Sequence, residues 1–301
     1  MSDLAPIILF VYNRPWHTEQ TLKALMANEL SAQSTLFIYS DGLKNNADEA
    51  QKTAFQQTKE IIKRENWCKE VFIVERKENF GLVKNVLDGI TEVINKYGKI
   101  IVLEDDLVTS PFFLNYCNDG LNVYENISHV FSINAYQFPL DTNKIDTFLS
   151  TLATTSWGWA TWKDRWNKLK LDLDYKNVIQ DNKFLRQRFN LGDYDYANML
   201  DHPKSWAIKW HYTAFLQNGL GLFPSVSLIY NIGFDGSGEN CTPNEITQRL
   251  YQNKIRVTLK EDIDMDLMSK LTLYFEEAPA EKVSQYVKIK RFIKKIISPK
   301  H

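Results

Sequence analysis

Residues 100–106 of the sequence read Ile-Ile-Val-Leu-Glu-Asp-Asp, so that four apolar side chains are followed at once by three carboxylates. The apolar run is typical of a strand that is covered on both faces of a parallel sheet. Adjacent carboxylates repel one another and lose solvation at the end of a buried strand. A bound divalent cation removes that cost, and Mg²⁺ or Mn²⁺ characteristically joins one or two carboxylates to substrate phosphates. The stretch therefore predicts a metal–diphosphate site, with a solvated acidic turn as the alternative.

Strands and helices alternate on both sides of this stretch. Apolar runs and helical periodicity predict strands within residues 7–12, 35–39, 71–74 and 100–103, and helices within residues 15–30, 47–64 and 82–97. Farther along, the pattern predicts a helix and a strand within residues 111–136, a helix over 205–219, and a strand with a loop over 221–238. This alternation predicts an α/β fold with a mostly parallel sheet flanked by helices.

Polar residues follow two other predicted strands. Asn13 and Arg14 come after the first strand, and Asp41 ends the second. Ligands of open parallel sheets bind outside the carboxyl ends of the strands, which is where these residues and the acidic triplet converge. Arg14 suits a bidentate contact with phosphate, or a surface salt bridge. Asp41 suits a contact with a base or ribose, or a turn made with Gly42.

Composition limits the class of protein. The chain has 301 residues and a formal net charge of -1, which argues against a general nucleic-acid binder. Its three scattered cysteines fit neither a disulfide framework nor a zinc site and predict a reducing compartment. The sequence begins without a signal peptide and contains no apolar stretch long enough for a membrane span. We therefore expect a cytoplasmic protein.

The expected domain organisation is one catalytic domain and a C-terminal extension. Residues 1–243 form the domain, with a nucleotide-binding half (1–110) and an acceptor or sugar half (111–243), and residues 244–301 form a helical extension. Residues 285–301 place apolar side chains on one helical face and lysines and arginine on much of the remainder. Such a segment either contacts an anionic membrane surface, which would make the protein peripheral at the inner face, or packs on the domain.

Several motifs together resemble nucleotide-sugar glycosyltransferases of the GT-A fold. They are Asn13-Arg14-Pro15, Ser40-Asp41-Gly42, Asn79-Phe80-Gly81-Leu82, Glu104-Asp105-Asp106-Leu107 with Ser110-Pro111-Phe112-Phe113, Ser156-Trp157-Gly158-Trp159-Ala160-Thr161-Trp162, Ser205-Trp206-Ala207-Ile208 and Asn231-Ile232-Gly233-Phe234-Asp235-Gly236. The resemblance covers roughly residues 5–241. It is to the N-acetylglucosaminyltransferase I-like group and its bacterial relatives in surface-polysaccharide synthesis, and it implies a Rossmann-like sheet.

The resemblance also implies roles for individual residues. Arg14, beside Asn13, would contact the nucleotide diphosphate, Asp41 the base, and Asp105 the ribose. Asp106 would be the single direct ligand of Mn²⁺ or Mg²⁺, with Glu104 supporting the triplet, and Trp157, Gly158 and Trp159 would line the sugar pocket. The implied reaction is inverting transfer of a hexosyl or N-acetylhexosaminyl group from a donor, expected to be UDP-linked, to a glycan or lipid-linked glycan.

The catalytic base is the residue that the motifs do not supply. Lys204 stands where the resemblance leads us to expect an aspartate, and Asn240 lies where it leads us to expect a histidine. Asp201 and Asp235 are the remaining candidates for accepting the proton of the acceptor hydroxyl. The five histidines show no metal-ligand spacing and are interpreted as structural or surface residues.

Two further functions stay open. A catalytically impaired relative would bind a nucleotide sugar or glycan without turnover, as the departures at Lys204 and Asn240 would suit. A nucleotidyltransferase also combines a Rossmann-like sheet with acidic metal ligands, but residues 11–15 lack the glycine-rich phosphate loop expected of it.

Overall fold

A computed structural model describes residues 4–140, 146–202, 205–238 and 248–277 of the chain. Lys204, Asn240 and the basic segment 285–301 lie outside the described residues, so the predictions that concern them are not addressed by the structure.

The chain forms one large sheet and one small sheet. The strands are β1 (Ile7–Val11), β2 (Thr35–Ser40), β3 (Glu70–Glu75), β4 (Lys99–Glu104), β5 (Leu107–Thr109), β6 (Val130–Asn134), β7 (Thr147–Ser150), β8 (Trp159–Trp162), β9 (Leu220–Pro224) and β10 (Ile229–Asn231). Eight of them pair in the order β3-β2-β1-β4-β8-β6-β9-β7, and β10 pairs with β5 in a separate two-stranded sheet. The predicted α/β fold is confirmed.

The direction of the strands changes halfway across the large sheet. β3, β2, β1 and β4 are all parallel, as predicted. β8 then runs antiparallel to both β4 and β6. Beyond it, β9 is parallel to β6 and β7 antiparallel to β9. Because β8 starts where β4 ends, the turn that precedes β8 lies at the same edge of the sheet as the acidic triplet.

Helices cover both faces of the sheet. They are α1 (Pro15–Met26), α2 (Glu49–Lys63), α3 (Leu82–Tyr97), α4 (Phe113–Val123), α5 (Lys163–Trp166), α6 (Lys176–Asp181), α7 (Lys183–Phe189), α8 (Tyr196–Met199), α9 (Trp206–Leu216) and α10 (Met265–Glu277). Asp48 and Gln51 form a reciprocal capping box at the start of α2. Gly98 ends α3 in the left-handed conformation, with φ of 79°.

The two faces of β4 join separate halves of the core. Ile101 and Leu103 pack with α1, α2 and α4. Ile100 and Val102 face α3 and α9 and a group of large rings. Those rings belong to Trp159, Trp166, Trp206 and Trp210, all of which are buried. Trp206 and Trp210 of α9 are therefore core residues.

Part of the predicted C-terminal extension packs on the preceding residues of the chain. Ile255 and Val257 belong to the same core cluster as β1 and α1. Leu267 and Leu271 of α10 are buried against Phe148 of β7 and its neighbours. The boundary at residue 243 stays a prediction. Within the ranges that the structure describes, no helix is long and apolar enough to cross a membrane.

Candidate functional site

Asp105 and Asp106 form a buried acidic pair at the carboxyl edge of the parallel strands. They connect β4 to β5, and only 6% and 8% of their surfaces are exposed. Thr21 of α1 donates a hydrogen bond to the main-chain oxygen of Asp105 at 2.9 Å, which fixes the turn against the helix. The two carboxylates therefore follow a buried strand directly, as predicted, and lie in a turn that has little access to water.

Arg14 offsets part of the negative charge of this pair. Its Nη2 contacts Oδ1 of Asp105 and lies 2.8 Å from Oδ2 of Asp106. Burial alone would lower the pKa of Arg14, but the two carboxylates outweigh burial and raise it, so the guanidinium stays charged. Burial raises the pKa of Asp105, although Arg14 opposes that effect. Nη1 of Arg14 is buried and has no hydrogen-bond partner among the described residues, so the site retains an unused cationic donor.

Glu104 points away from the other two carboxylates. As the last residue of β4 it shares a face with Ile100 and Val102, and its side chain meets the indole of Trp206. Burial, reinforced by the charges of Asp106 and Asp105, raises the pKa of Glu104 to about 8. The charges of Glu104 and of the acidic pair therefore influence one another.

The tip, which we define as residues 231–238, closes over the acidic pair. Asn231 pairs with Leu107 in the small sheet, and the main-chain N–H of Ile232 donates to the main-chain oxygen of Asp106 at 2.9 Å. Gly233 lies against the carboxylate of Asp106, where a Cβ atom would overlap Oδ2. A glycine is required at this point because the backbone approaches the carboxylate so closely.

Gln248 holds the base of the tip in place. Its amide oxygen accepts from the N–H of Asn231 at 2.8 Å, and its amide nitrogen donates to the main-chain oxygen of Asn231 at 2.9 Å. This two-way contact satisfies both main-chain polar groups of Asn231. No sequence pattern indicates Gln248, because a glutamine has this role only when folding brings the backbone edge of a strand to it.

Asp235, one of the two candidate bases, reaches the site through His17. Oδ2 of Asp235 lies 3.0 Å from Nε2 of His17, which is within ion-pair distance but not at hydrogen-bond geometry. His17 is buried, whereas the Asp235 side chain is 47% exposed. Burial tends to raise the pKa of Asp235, but hydrogen bonds from Ser237 and the nearby His17 lower it overall, so Asp235 is a carboxylate at neutral pH.

The interpretation of the histidines missed the place of His17 at the site. His17 lies one helical turn beyond Arg14 on α1, so that both side chains reach the carboxyl edge of the sheet. The three-residue spacing between them was the available signal, although it becomes meaningful only once α1 is known to begin at Pro15.

Asp201, the other candidate base, lies elsewhere. It is exposed and accepts hydrogen bonds from Lys176 at 2.7 Å and from Gln180 at 3.0 Å. These partners belong to α6, in the helical layer after β8. Asp201 therefore contacts α6, whereas Asp235 contacts His17.

Asp41 organises a loop at the neighbouring strand end. Its two oxygens accept four hydrogen bonds, from the main-chain N–H groups of Gly42, Phe80 and Gly81 and from the side chain of Asn79. A Cβ atom on Gly42 would overlap the backbone of Glu78, so this glycine lets the loop approach. The bonds correspond to the turn interpretation of Asp41. Contact with a base stays a prediction, and it would require one of these bonds to be exchanged.

Of the three residues expected to line a sugar pocket, Trp157 contacts the tip, whereas Gly158 and Trp159 pack against other residues. Trp157 is half-buried and makes an edge contact with Phe234 of the tip, with ring centroids 5.5 Å apart. Gly158 adopts a φ of 68° and packs against Ile229. Trp159, in contrast, is fully buried and stacks on Trp206 at 5.5 Å, so its side chain belongs to the core. Asn13 is half-buried beside Arg14 at the end of β1.

The acidic pair fits a magnesium or manganese ion that takes few ligands from the protein. In the described ranges, no group of three or more His, Cys, Asp or Glu side chains could hold a metal ion. Asp105 and Asp106 offer carboxylate oxygens, which these cations prefer, and the remaining ligands would be water and phosphate oxygens. Arg14 contacts Oδ2 of Asp106, so a metal at that atom would compete with the guanidinium for it.

No protein-family model matches the chain, and no curated protein matches it. Solved structures give partial likenesses. A mannosyltransferase from Pyrobaculum calidifontis in complex with GDP-Man and Mn²⁺ aligns over 54% of this chain and 48% of its own length, at 11% identity and a TM-score of 0.32. TarS from S. aureus aligns over 76% of this chain and 60% of its own length, at 10% identity and a TM-score of 0.42. An active-site mutant of LgtC aligns over 65% of this chain and 69% of its own length, at 10% identity and a TM-score of 0.34.

The chain therefore spans less than two thirds of the length of the mannosyltransferase and of TarS. Similarity at this level supports neither a substrate nor a reaction for this chain. The functional conclusion rests on the residues of the site.

Proposed function

We propose that the chain is an inverting glycosyltransferase. It would move a hexosyl or N-acetylhexosaminyl group from a nucleotide-diphosphate donor to a glycan or lipid-linked glycan, in the synthesis of a surface polysaccharide or glycoconjugate. One observation carries the proposal: Arg14 and the tip enclose Asp105 and Asp106 at the carboxyl edge of a parallel sheet. That edge is where such sheets bind ligands.

The donor would bind through its diphosphate. Asp106 would hold Mn²⁺ or Mg²⁺, and the buried Nη1 of Arg14 is placed to donate to a phosphate oxygen. Asp105 would hold the ribose, the loop at Asp41 would border the base, and Trp157 would border the sugar. When bound, the metal would supply Lewis-acid stabilisation of the negative charge on the leaving diphosphate.

The acceptor would be activated by Asp235. Its lowered pKa makes it a carboxylate at neutral pH, and its partial exposure lets an acceptor hydroxyl approach. The acceptor oxygen forms a bond with the anomeric carbon as the bond to the diphosphate breaks, and the hydroxyl proton passes to Asp235. A single displacement of this kind inverts the anomeric configuration.

A nucleotide-sugar binder without turnover is the second candidate. The contact of Arg14 with both carboxylates favours it, because the guanidinium already offsets one of the two negative charges without a metal. Such a protein would bind a nucleoside diphosphate sugar and would release neither nucleoside diphosphate nor sugar.

Release of nucleoside diphosphate from a panel of UDP- and GDP-sugars, with Mn²⁺ or with EDTA, tests the proposal. Wild type should release the diphosphate only with the divalent cation, and Asp106→Asn should lower the rate by about 100-fold or more. Asp193→Asn, at an exposed loop carboxylate, is the matched control and should keep the wild-type rate. Binding without release by wild type would favour the second candidate, and equal rates for Asp106→Asn and wild type would exclude the assigned metal ligand.

We also propose a cytoplasmic protein whose basic segment 285–301 contacts anionic lipid. Partitioning onto vesicles that contain phosphatidylglycerol should fall when this segment is deleted. Equal partitioning of the two forms would contradict the membrane contact and leave the transferase proposal intact.

A further inference from the structure

Trp16 is the one exposed tryptophan of the chain. All eight tryptophans lie within the described ranges, and 57% of the surface of Trp16 is accessible to solvent. Trp157 is half-buried, and the remaining six are buried in the core. An exposed indole leaves a large apolar ring in water, without the favourable free energy that burial of the ring would contribute. Its position in the fold therefore bears on what covers it.

Trp16 stands at the rim of the acidic site. It follows Arg14 by two residues in the first turn of α1. Its ring makes an edge contact with the imidazole of His17, with centroids 4.9 Å apart. His17 in turn lies 3.0 Å from Asp235. One imidazole ring thus separates the exposed indole from the carboxylate that would take the acceptor proton.

This arrangement offers an apolar face beside polar groups. A pyranose ring has C–H groups on its faces and hydroxyls around its edge, so one face can pack on an indole while the hydroxyls reach hydrogen-bonding partners. Binding sites for small ligands combine apolar rings with a few placed polar groups in this way. Here Asp235 is that polar partner, and the edge contact with His17 restricts the orientation of the indole.

The side of the site on which Trp16 stands favours the acceptor over the nucleotide base. The loop organised by Asp41 follows β2, on one side of β1, whereas the acidic pair follows β4, on the other side. Trp16 is joined through His17 to the tip, and the tip covers Asp106. We propose that Trp16 is a stacking platform for a pyranose ring of the acceptor and thereby positions its hydroxyl at Asp235. This inference rests on the proposed function, since it assigns the acceptor subsite of the same reaction.

Fluorescence quenching tests the platform without catalysis. Acrylamide should quench a fraction of the tryptophan emission that Trp16→Phe removes. In wild type, that fraction should be protected by one or more members of a panel of methyl hexosides, methyl N-acetylhexosaminides and disaccharides, and UDP with Mn²⁺ alone should leave it unprotected. Protection by UDP alone, protection that persists in Trp16→Phe, or no protection by any saccharide would overturn the inference.

Kinetics then separates this inference from the proposed function. Trp16→Ala should keep the rate of donor hydrolysis in the absence of acceptor and should raise the KM for the protecting saccharide by about tenfold or more. Trp16→Phe, which retains a smaller ring, should lie between wild type and Trp16→Ala. Phe184→Ala removes another exposed ring, in α7, and should leave both quantities unchanged.

The outcomes distinguish the two proposals. An unchanged acceptor KM in Trp16→Ala would overturn the platform while leaving the transferase intact. If wild type turned over no nucleotide sugar, the proposed function would fail, and saccharide protection of Trp16 would still decide whether the ring is a carbohydrate platform.

Discussion

Replacing Arg14 with methionine perturbs the acidic pair most directly. Methionine is similar in length but carries neither charge nor hydrogen-bond donors, so Asp105 and Asp106 remain buried without a counterion. The side chain of Arg14 is only 13% exposed, and those of Asp105 and Asp106 are 8% and 12% exposed, so water screens the loss weakly. Removing one partner of a buried ion pair costs about 3–5 kcal/mol, and the remaining exposure places this site near the lower value.

The change should be visible as a fall in Tm and as a stronger response to metal. A loss of about 3 kcal/mol corresponds to a decrease of about 6–12 °C in EDTA, at about 2–4 °C per kcal/mol. Mn²⁺ at about 100 times its Kd should raise the free energy of unfolding of the variant by about 2.7 kcal/mol. Wild type should gain less, because the ion must first displace Arg14 from Asp106.

Arg64→Met is the matched control in differential scanning calorimetry. Arg64 pairs with Glu19 at 2.7 Å, but its side chain is 51% exposed, so its loss should cost no more than about 1 kcal/mol. Equal Tm values for Arg14→Met and Arg64→Met in EDTA would refute the reasoning about burial. Equal gains from Mn²⁺ in wild type and Arg14→Met would refute the competition between Arg14 and the metal.

Three further substitutions test the surroundings of the pair. Gly233→Ala should abolish Mn²⁺-dependent UDP binding in calorimetry, because its Cβ would overlap the carboxylate of Asp106. As the pH rises from about 5 to 9, the Tm of Glu104→Gln should fall less than the Tm of wild type. The pKa of Glu104 in the folded protein is about 8, above its ordinary value of 4.5, so wild type loses the stability that it has at low pH as the pH rises through 8. Asp41→Ala should cost about 3 kcal/mol or more in urea unfolding and speed hydrogen exchange in residues 79–81, since buried N–H groups lose their acceptor.

The parallel half of the fold was predictable because its signals are local. The apolar spacing within α3 and the glycine after it predicted both ends of that helix, Leu82 and Tyr97. Strand direction beyond β4 was not predictable in the same way. The sequence of the four residues of β8 does not indicate the direction in which the strand pairs. The course of the preceding chain makes β8 antiparallel to β4.

The meeting of Arg14 with the acidic pair was predictable because strand ends converge. Arg14 and the two aspartates meet since β1 and β4 are parallel neighbours. The contact of Asp235 with His17 joins segments far apart in the chain, and that of Gln248 with Asn231 spans a loop, so no local pattern indicates either contact. Asp41 was predictable only in part. Its position at a strand end indicated a role but allowed two interpretations, and most of its hydrogen-bond partners come from a loop later in the chain.

The position of Mn²⁺ in crystals grown with Mn²⁺ and UDP tests the metal–diphosphate site most directly, through anomalous diffraction at the manganese edge. The structure leads us to expect one strong anomalous peak bonded to the carboxylate of Asp106 and to the UDP diphosphate, with Arg14 moved from Asp106 to a phosphate oxygen. Bound UDP with Arg14 still on both carboxylates, or an anomalous peak away from Asp106, would contradict it.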